Sequence, residues 1–322
     1  MAFNWSIDNK DRVSLRPIIH DDIWQFRKKI EGCHWTAQEI DLTKDINDWN
    51  AMSNDEKHFI KMQLAFFARI DIDVLDNLDD NFGKEIDCME AQMVYHAQKD
   101  QECVHAESYA LQIEAIMFDK EREEVMNATL ITPCITGMRN WVMQWFNKDL
   151  HIGTRLVAFT VVEGVMFSAS FSALQWLRTK NKLNGITQAN SFIARDEGLH
   201  TMFSCLLIRR YLVTKPSFDI VKRIFDDAIK SIDTFIEISL PNSVDIIDSI
   251  SMKQYVRYQA DSVINHMGYP TIYNVENPYS FMDALTLNEV SKANFFETRS
   301  TSYQNVITEG CASLSIDDSI VN

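Results

Sequence analysis

The stretch "KDQECVHAESYAL" (residues 99–111) places Glu102, His105 and Tyr109 at intervals of three and four. At 3.6 residues per turn, that spacing puts an acid, an imidazole and a phenol on one face of a helix. Two further E-x-x-H pairs occur, Glu31/His34 and Glu197/His200. From this composition about half a match is expected by chance, so one pair alone carries little weight. "EGCHW" has a glycine in its middle and lies outside any periodic helix, which marks Glu31/His34 as the fortuitous pair. The other two sit in strong helical patterns, 95 residues apart. A Glu and a His three apart can bind one metal ion, and two such helices facing each other can bind two.

The surrounding chain favours long helices. Its 322 residues hold only nine Gly and six Pro, with no proline between Pro17 and Pro133 or between Pro133 and Pro216. These are the usual breakers, so an all-α fold follows. "SNDEKHFIKMQLAFFARIDIDVLDNL" opens with Ser53 and Glu56 at capping-box spacing and then runs helically. Further helices are predicted near 84–117, 154–179, 187–212, 218–238 and 250–267, with "NKLNGIT" as a loop. Periodicity fades beyond "MGYPTIYNVENPYS". The reading is a helical domain over residues 1–290 and a mobile polar tail over 291–322.

The net charge of −15 argues against nucleic acid as a partner, since phosphates recruit Lys and Arg. Six cysteines without C-x-x-C pairing point to a reducing compartment, and the opening "MAFNWSIDNK" has no apolar run of the secretory kind. The expectation is a cytoplasmic protein.

Carboxylates from two more helices would complete a two-ion site. "LVAFTVVEGVMFSASFSALQWL" (156–177) carries a single charge, Glu163. Its length approaches a membrane span, but Glu163, several Ser, Thr and Gln residues and the lack of a second such segment favour a helix buried in a bundle. A buried carboxylate needs a partner, and a metal ion is an adequate one. In "RIDIDVLDNLDD" the apolar stripe of Ile60, Leu64, Phe67, Val74, Leu75 and Leu78 includes position 71. Asp71 is therefore expected to face the core, and Asp73, Asp76, Asp79 and Asp80 to face solvent. Asp71, Glu102, Glu163 and Glu197 would then balance two divalent ions, with His105 and His200 neutral. Hard oxygen donors with two imidazoles suit iron or manganese. This is the known donor pattern of ferritin-like di-iron bundles, so the match is to an established arrangement.

Tyr109 lies one turn beyond His105, where a phenol beside an oxygen-activating centre could lose an electron and a proton. Phe167 and Phe171 follow Glu163 by four and eight, and Ile193 precedes Glu197 by four. These three could form a dry wall around an oxidised phenol, although ordinary core packing explains them equally well.

The sequence resembles the small, radical-generating subunit of class I ribonucleotide reductases from about Trp24 to Gln304. The landmarks are "WTAQEIDLTKDINDW", "HFIKMQLAFFARID", "ECVHAESY", "VVEGVMFSASF", "ARDEGLH" and "NFFETRSTSYQ". The resemblance implies the same six metal ligands, Asp71, Glu102, His105, Glu163, Glu197 and His200, and a radical on Tyr109. It further implies an electron relay through Trp35 and Asp196, a tail tyrosine at Tyr303 facing a separate large subunit, and a homodimer. Neither Trp35 nor Tyr303 stands out without it. The run after Asp71, Cys103 between two ligands, and the ending "SIDDSIVN" depart from the family pattern. Another ferritin-like di-metal oxidase, a hydroxylase or desaturase, or an iron-storage bundle would share the six ligands without needing Tyr109, Trp35 or Tyr303.

Overall fold

The computed structural model describes residues 2–5, 12–242 and 244–285. Among them lie twelve α-helices and no strand, only two isolated β-bridges. They are α1 (Asp21–Gly32), α2 (Asp45–Ala51), α3 (Asn54–Asn77), α4 (Gly83–Glu85), α5 (Met89–Ile116) and α6 (Asp119–Ile131), followed by α7 (Pro133–Trp145), α8 (Ile152–Val161), α9 (Ser168–Thr179), α10 (Asn184–Leu206), α11 (Phe218–Ser239) and α12 (Ser249–His266). The architecture is the expected all-α, ferritin-like bundle. Its central helices are α3, α5, the α8–α9 pair and α10, with α1, α7, α11 and α12 packed around them.

Local sequence explains each central helix. Ser53 caps α3 reciprocally: its hydroxyl accepts from the Glu56 N–H (3.2 Å), and Glu56 accepts from the Ser53 N–H (2.9 Å). Of the apolar stripe, Ile60, Leu64, Phe67, Val74 and Leu78 are buried together with Asp71, and Leu75 is half-buried. One outward expectation fails. Asp73 is buried, because Arg69 one turn earlier on α3 (2.8 Å) and Arg139 from α7 (3.4 Å) supply cations, the second of which the α3 sequence does not reveal. Asp76 and Asp79 are exposed.

The run from Ile152 to Thr179 is long and apolar enough to cross a membrane, yet 94% of its most apolar window is buried inside the bundle. It is not one regular helix. A π-turn over Val162–Met166 separates α8 from α9 and contains Glu163, an irregularity typical of functional positions. The predicted loop, residues 181–187, is shorter than expected, since α10 already begins at Asn184, with Leu183 in a left-handed conformation (φ 49°) at the helix start. Its N–H donates to Asp48 (2.8 Å), while Asp45 accepts from the Gly185 and Ile186 N–H groups (3.0 and 2.8 Å). Two carboxylates of α2 thus bind three of the N–H groups at the start of α10.

Helices α1, α2, α6 and α7 lie outside the predicted set. Glu31 falls near the end of α1, not outside a helix, and both Glu31 and His34 are exposed. Pro133 starts α7 instead of breaking a helix, since the first helical position needs no N–H donor.

Beside Glu163, a Cβ on Gly164 would come within 2.7 Å of Val263 and 2.8 Å of Thr201. Gly164→Ala is expected to destabilise the fold by about 1–3 kcal/mol through overpacking, measured by urea denaturation of the metal-free protein.

Candidate metal centre

Asp71 from α3, Glu102 and His105 from α5, Glu163 from the π-turn, and Glu197 and His200 from α10 converge in the bundle core. All six are at most 2% exposed. Their donor atoms form two groups, Asp71/Glu102/His105 and Glu102/Glu163/Glu197/His200, with the atoms in each within 4.8 Å of one another. Both imidazoles turn Nδ1 inward. His105 Nδ1 lies 3.2 Å from Glu102 and 3.1 Å from Glu197, and His200 Nδ1 lies 3.1 Å from both Glu102 and Glu197.

The electrostatics fit a site built for cations. Neither oxygen of Asp71 has a hydrogen-bond partner, which is costly for a buried carboxylate unless something positive faces it. Burial, reinforced by the neighbouring carboxylates, pushes the Asp71 and Glu163 carboxyls well above their usual range. Burial pushes Glu197 the same way, but hydrogen bonds with Glu163, His105 and His200 outweigh it and hold the group low. Burial disfavours charge on both histidines, yet Asp196, Glu102 and Glu197 raise His105, and Glu102, Glu163 and Glu197 raise His200. Without metal, protons fill the role of the missing cations.

The structure brings together Trp35 and Asp196, which the resemblance implies, and adds Arg195, Gln98 and Gln101, which the sequence reading does not name. His105 Nε2 meets Asp196 Oδ2 at 3.4 Å, and the same oxygen accepts from Trp35 Nε1 at 2.8 Å. Asp196 Oδ1 is held by Arg195 at 2.8 and 3.0 Å. Burial raises the Asp196 carboxyl, but Arg195, His105 and Trp35 outweigh it and keep the group ionised. Gln98 donates to Glu163 Oε1 (3.2 Å), and Gln101 Oε1 lies 2.9 Å from His200 Nε2. Gln98 and Gln101 each lie four residues before a ligand, a spacing that could have identified them as polar groups on a buried face.

Tyr109 is 1% exposed. Its ring stacks on Phe67 at 4.8 Å and 6°. Phe171 and Phe167 pack on Phe67 at 5.3 and 5.8 Å, and Ile193 is fully buried on α10. Phe67, four residues before Asp71, is the ring that joins the predicted wall to the phenol. Burial and the nearby Asp71, Glu197 and Glu102 carboxylates drive the Tyr109 hydroxyl far above its usual range. Tyr303 lies outside the described residues.

Residues 12–278 match the family described as ribonucleotide reductase, small chain. This chain belongs to that family. It is 39% identical over 308 residues to the ribonucleoside-diphosphate reductase small chain of African swine fever virus (strain Badajoz 1971 Vero-adapted), spanning 94% of this chain and 92% of that one. It is 40% identical to the ribonucleoside-diphosphate reductase subunit M2 of Rattus norvegicus, over 93% of this chain and 76% of that one. Among solved structures, the ribonucleotide reductase Rnr4 homodimer of Saccharomyces cerevisiae superposes with a TM-score of 0.75 at 30% identity, covering 84% of this chain and 86% of that one. The dimanganese(II) protein NrdF of Streptococcus sanguinis shares the fold, with a TM-score of 0.71 at 17% identity over 90% of this chain and 99% of that one. Nothing in these relatives favours a hydroxylase, a desaturase or a storage bundle.

Because metal ligation needs neutral imidazoles and ionised carboxylates, filling the site must expel the protons held by His105, His200, Asp71 and Glu163. Binding of a divalent ion near pH 7 is expected to release protons and to tighten as pH rises. Calorimetric titration in two buffers of different ionisation enthalpy checks this, and identical heats in both would contradict it.

Proposed function

We propose that the chain is the radical-generating small subunit of a class I ribonucleotide reductase, serving the conversion of ribonucleoside diphosphates to deoxyribonucleotides. The observation that carries this reading is a buried carboxylate–histidine cluster of two donor groups with a buried phenol one turn along the same helix. Asp71, Glu102, His105, Glu163, Glu197 and His200 are assigned as the ligands of two iron ions, manganese being the other metal this donor set accepts. When bound, such a pair supplies with oxygen the oxidising power to take one electron and one proton from Tyr109.

The protein's part is to position the phenol and exclude side reactions. Phe67 covers one face of the Tyr109 ring, and Phe167, Phe171 and Ile193 extend the apolar surroundings, keeping water and reductants from an oxidised phenol. Trp35 Nε1, Asp196 and His105 Nε2 form a continuous hydrogen-bonded path, which we assign as the relay for the oxidising equivalent. Arg195 keeps the middle carboxylate ionised and correctly turned. Tyr303, in a tail assigned to residues 291–322 beyond a helical domain of 1–290, would pass the equivalent to the large catalytic subunit. A cysteine there would start removal of the ribonucleotide 2′-hydroxyl, so the nucleotide never binds this chain. A homodimer is supported by the yeast relative, and a cytoplasmic location by the five described cysteines, all free thiols.

Two experiments test this reading. Metal-free protein loaded anaerobically with ferrous iron and then exposed to air is expected to hold about two ions per chain, from the two donor groups, and to show an organic radical by electron paramagnetic resonance. Tyr109→Phe should keep the metal and lose the radical; a radical surviving that change would remove Tyr109 from the mechanism. Truncation before Tyr303 should leave the radical intact and abolish nucleotide reduction with the cognate large subunit, and retained turnover would refute the exit route.

A further inference from the structure

The two inward-facing histidines differ in what holds their outer nitrogens. His105 Nε2 faces the Asp196 carboxylate, itself paired with Arg195. His200 Nε2 faces the neutral amide of Gln101 at 2.9 Å. A ligating Nδ1 must offer a lone pair, so each Nε2 carries the ring proton and each outer partner accepts it. Gln101 is 3% exposed, and its own Nε2 has no hydrogen-bond partner among the described residues. A buried amide with an unmade bond is costly, and a leucine would fill the same space without that cost. The bond that Gln101 does make is its evident use.

We infer that Gln101 is the positioning residue for the metal ion held by His200, fixing that ring's tautomer and orientation, while Asp196 does the same for the ion held by His105. The pair of ions is therefore unequal by construction. A carboxylate partner lends its imidazole more negative character and stronger donation than an amide does. Loss of Gln101 strikes one ion of the two, because His105 and its own partner are untouched. This inference rests on the two-ion reading above.

Full-length metal-free protein, titrated with manganese(II) without oxygen, separates the possibilities. Bound metal is counted by equilibrium dialysis, and the electron paramagnetic resonance spectrum distinguishes isolated from paired ions. The wild-type chain should take up two ions and show a spin-coupled pair. Gln101→Leu should bind one ion as before and the other about 10–100-fold more weakly, giving an isolated-ion spectrum at intermediate manganese. Gln101→Glu restores an acceptor and should recover the paired spectrum. Gln101→Met, which keeps the bulk but lacks the acceptor, replaces the leucine variant if circular dichroism shows that variant unfolded. Wild-type affinity for both ions in the acceptor-less variant, parallel weakening of both, or failure of Gln101→Glu to recover the pair would overturn the assignment. A wild-type chain that bound fewer than two ions would overturn the two-ion reading itself, and this inference with it.

Discussion

Four carboxylates and two imidazoles share one water-poor core, and every other feature of the molecule answers to that arrangement. An uncompensated buried charge costs several kcal/mol, so the bundle can hold Asp71, Glu102, Glu163 and Glu197 together only with positive charge among them. Protons on the histidines and on the high-pKa carboxyls fill that role without metal. Divalent ions fill it better, since two of them match four negative charges. The core is thus less a hydrophobic interior with a site carved into it than a site around which a hydrophobic interior is packed.

Holding those groups at ligand distance requires fixed helices. Helix α10, which brings Asp196, Glu197 and His200, has its first N–H groups bound by Asp45 and Asp48 of α2. This fixes where α10 begins as well as where it points. Glu163 reaches the cluster from a π-turn, which rotates the side chains beyond it relative to a regular helix. Gly164 has no room for a Cβ because Thr201 of α10 and Val263 of α12 press against it. The close approach of those helices and the direction of Glu163 are therefore one constraint.

The same packing gives Tyr109 its surroundings. A phenol stacked in parallel on Phe67, itself covered by Phe167 and Phe171, is shielded from water on that side. Its hydroxyl, among negative groups in a low-dielectric core, cannot simply ionise at neutral pH. The contacts from Trp35 through Asp196 to His105 are hydrogen bonds throughout.

Much of this was legible in the sequence because helical spacing is a strict rule. Glu102, His105 and Tyr109 share a face wherever their segment is an α-helix, and an almost charge-free helix containing Glu163 must be buried around it. The stripe on α3 placed Asp71 correctly for the same reason. It failed for Asp73, since Arg139 arrives from a helix that periodicity on α3 cannot see. Trp35 and Arg195 carry no local signal strong enough to separate them from packing, because Trp35 meets Asp196 161 residues away and Arg195 also donates to the Cys33 carbonyl, 162 residues away. Spacing along one helix is decided by backbone geometry and can be read from letters. Which helices meet, and which oxygen faces which nitrogen when they do, is decided only by packing of the whole chain.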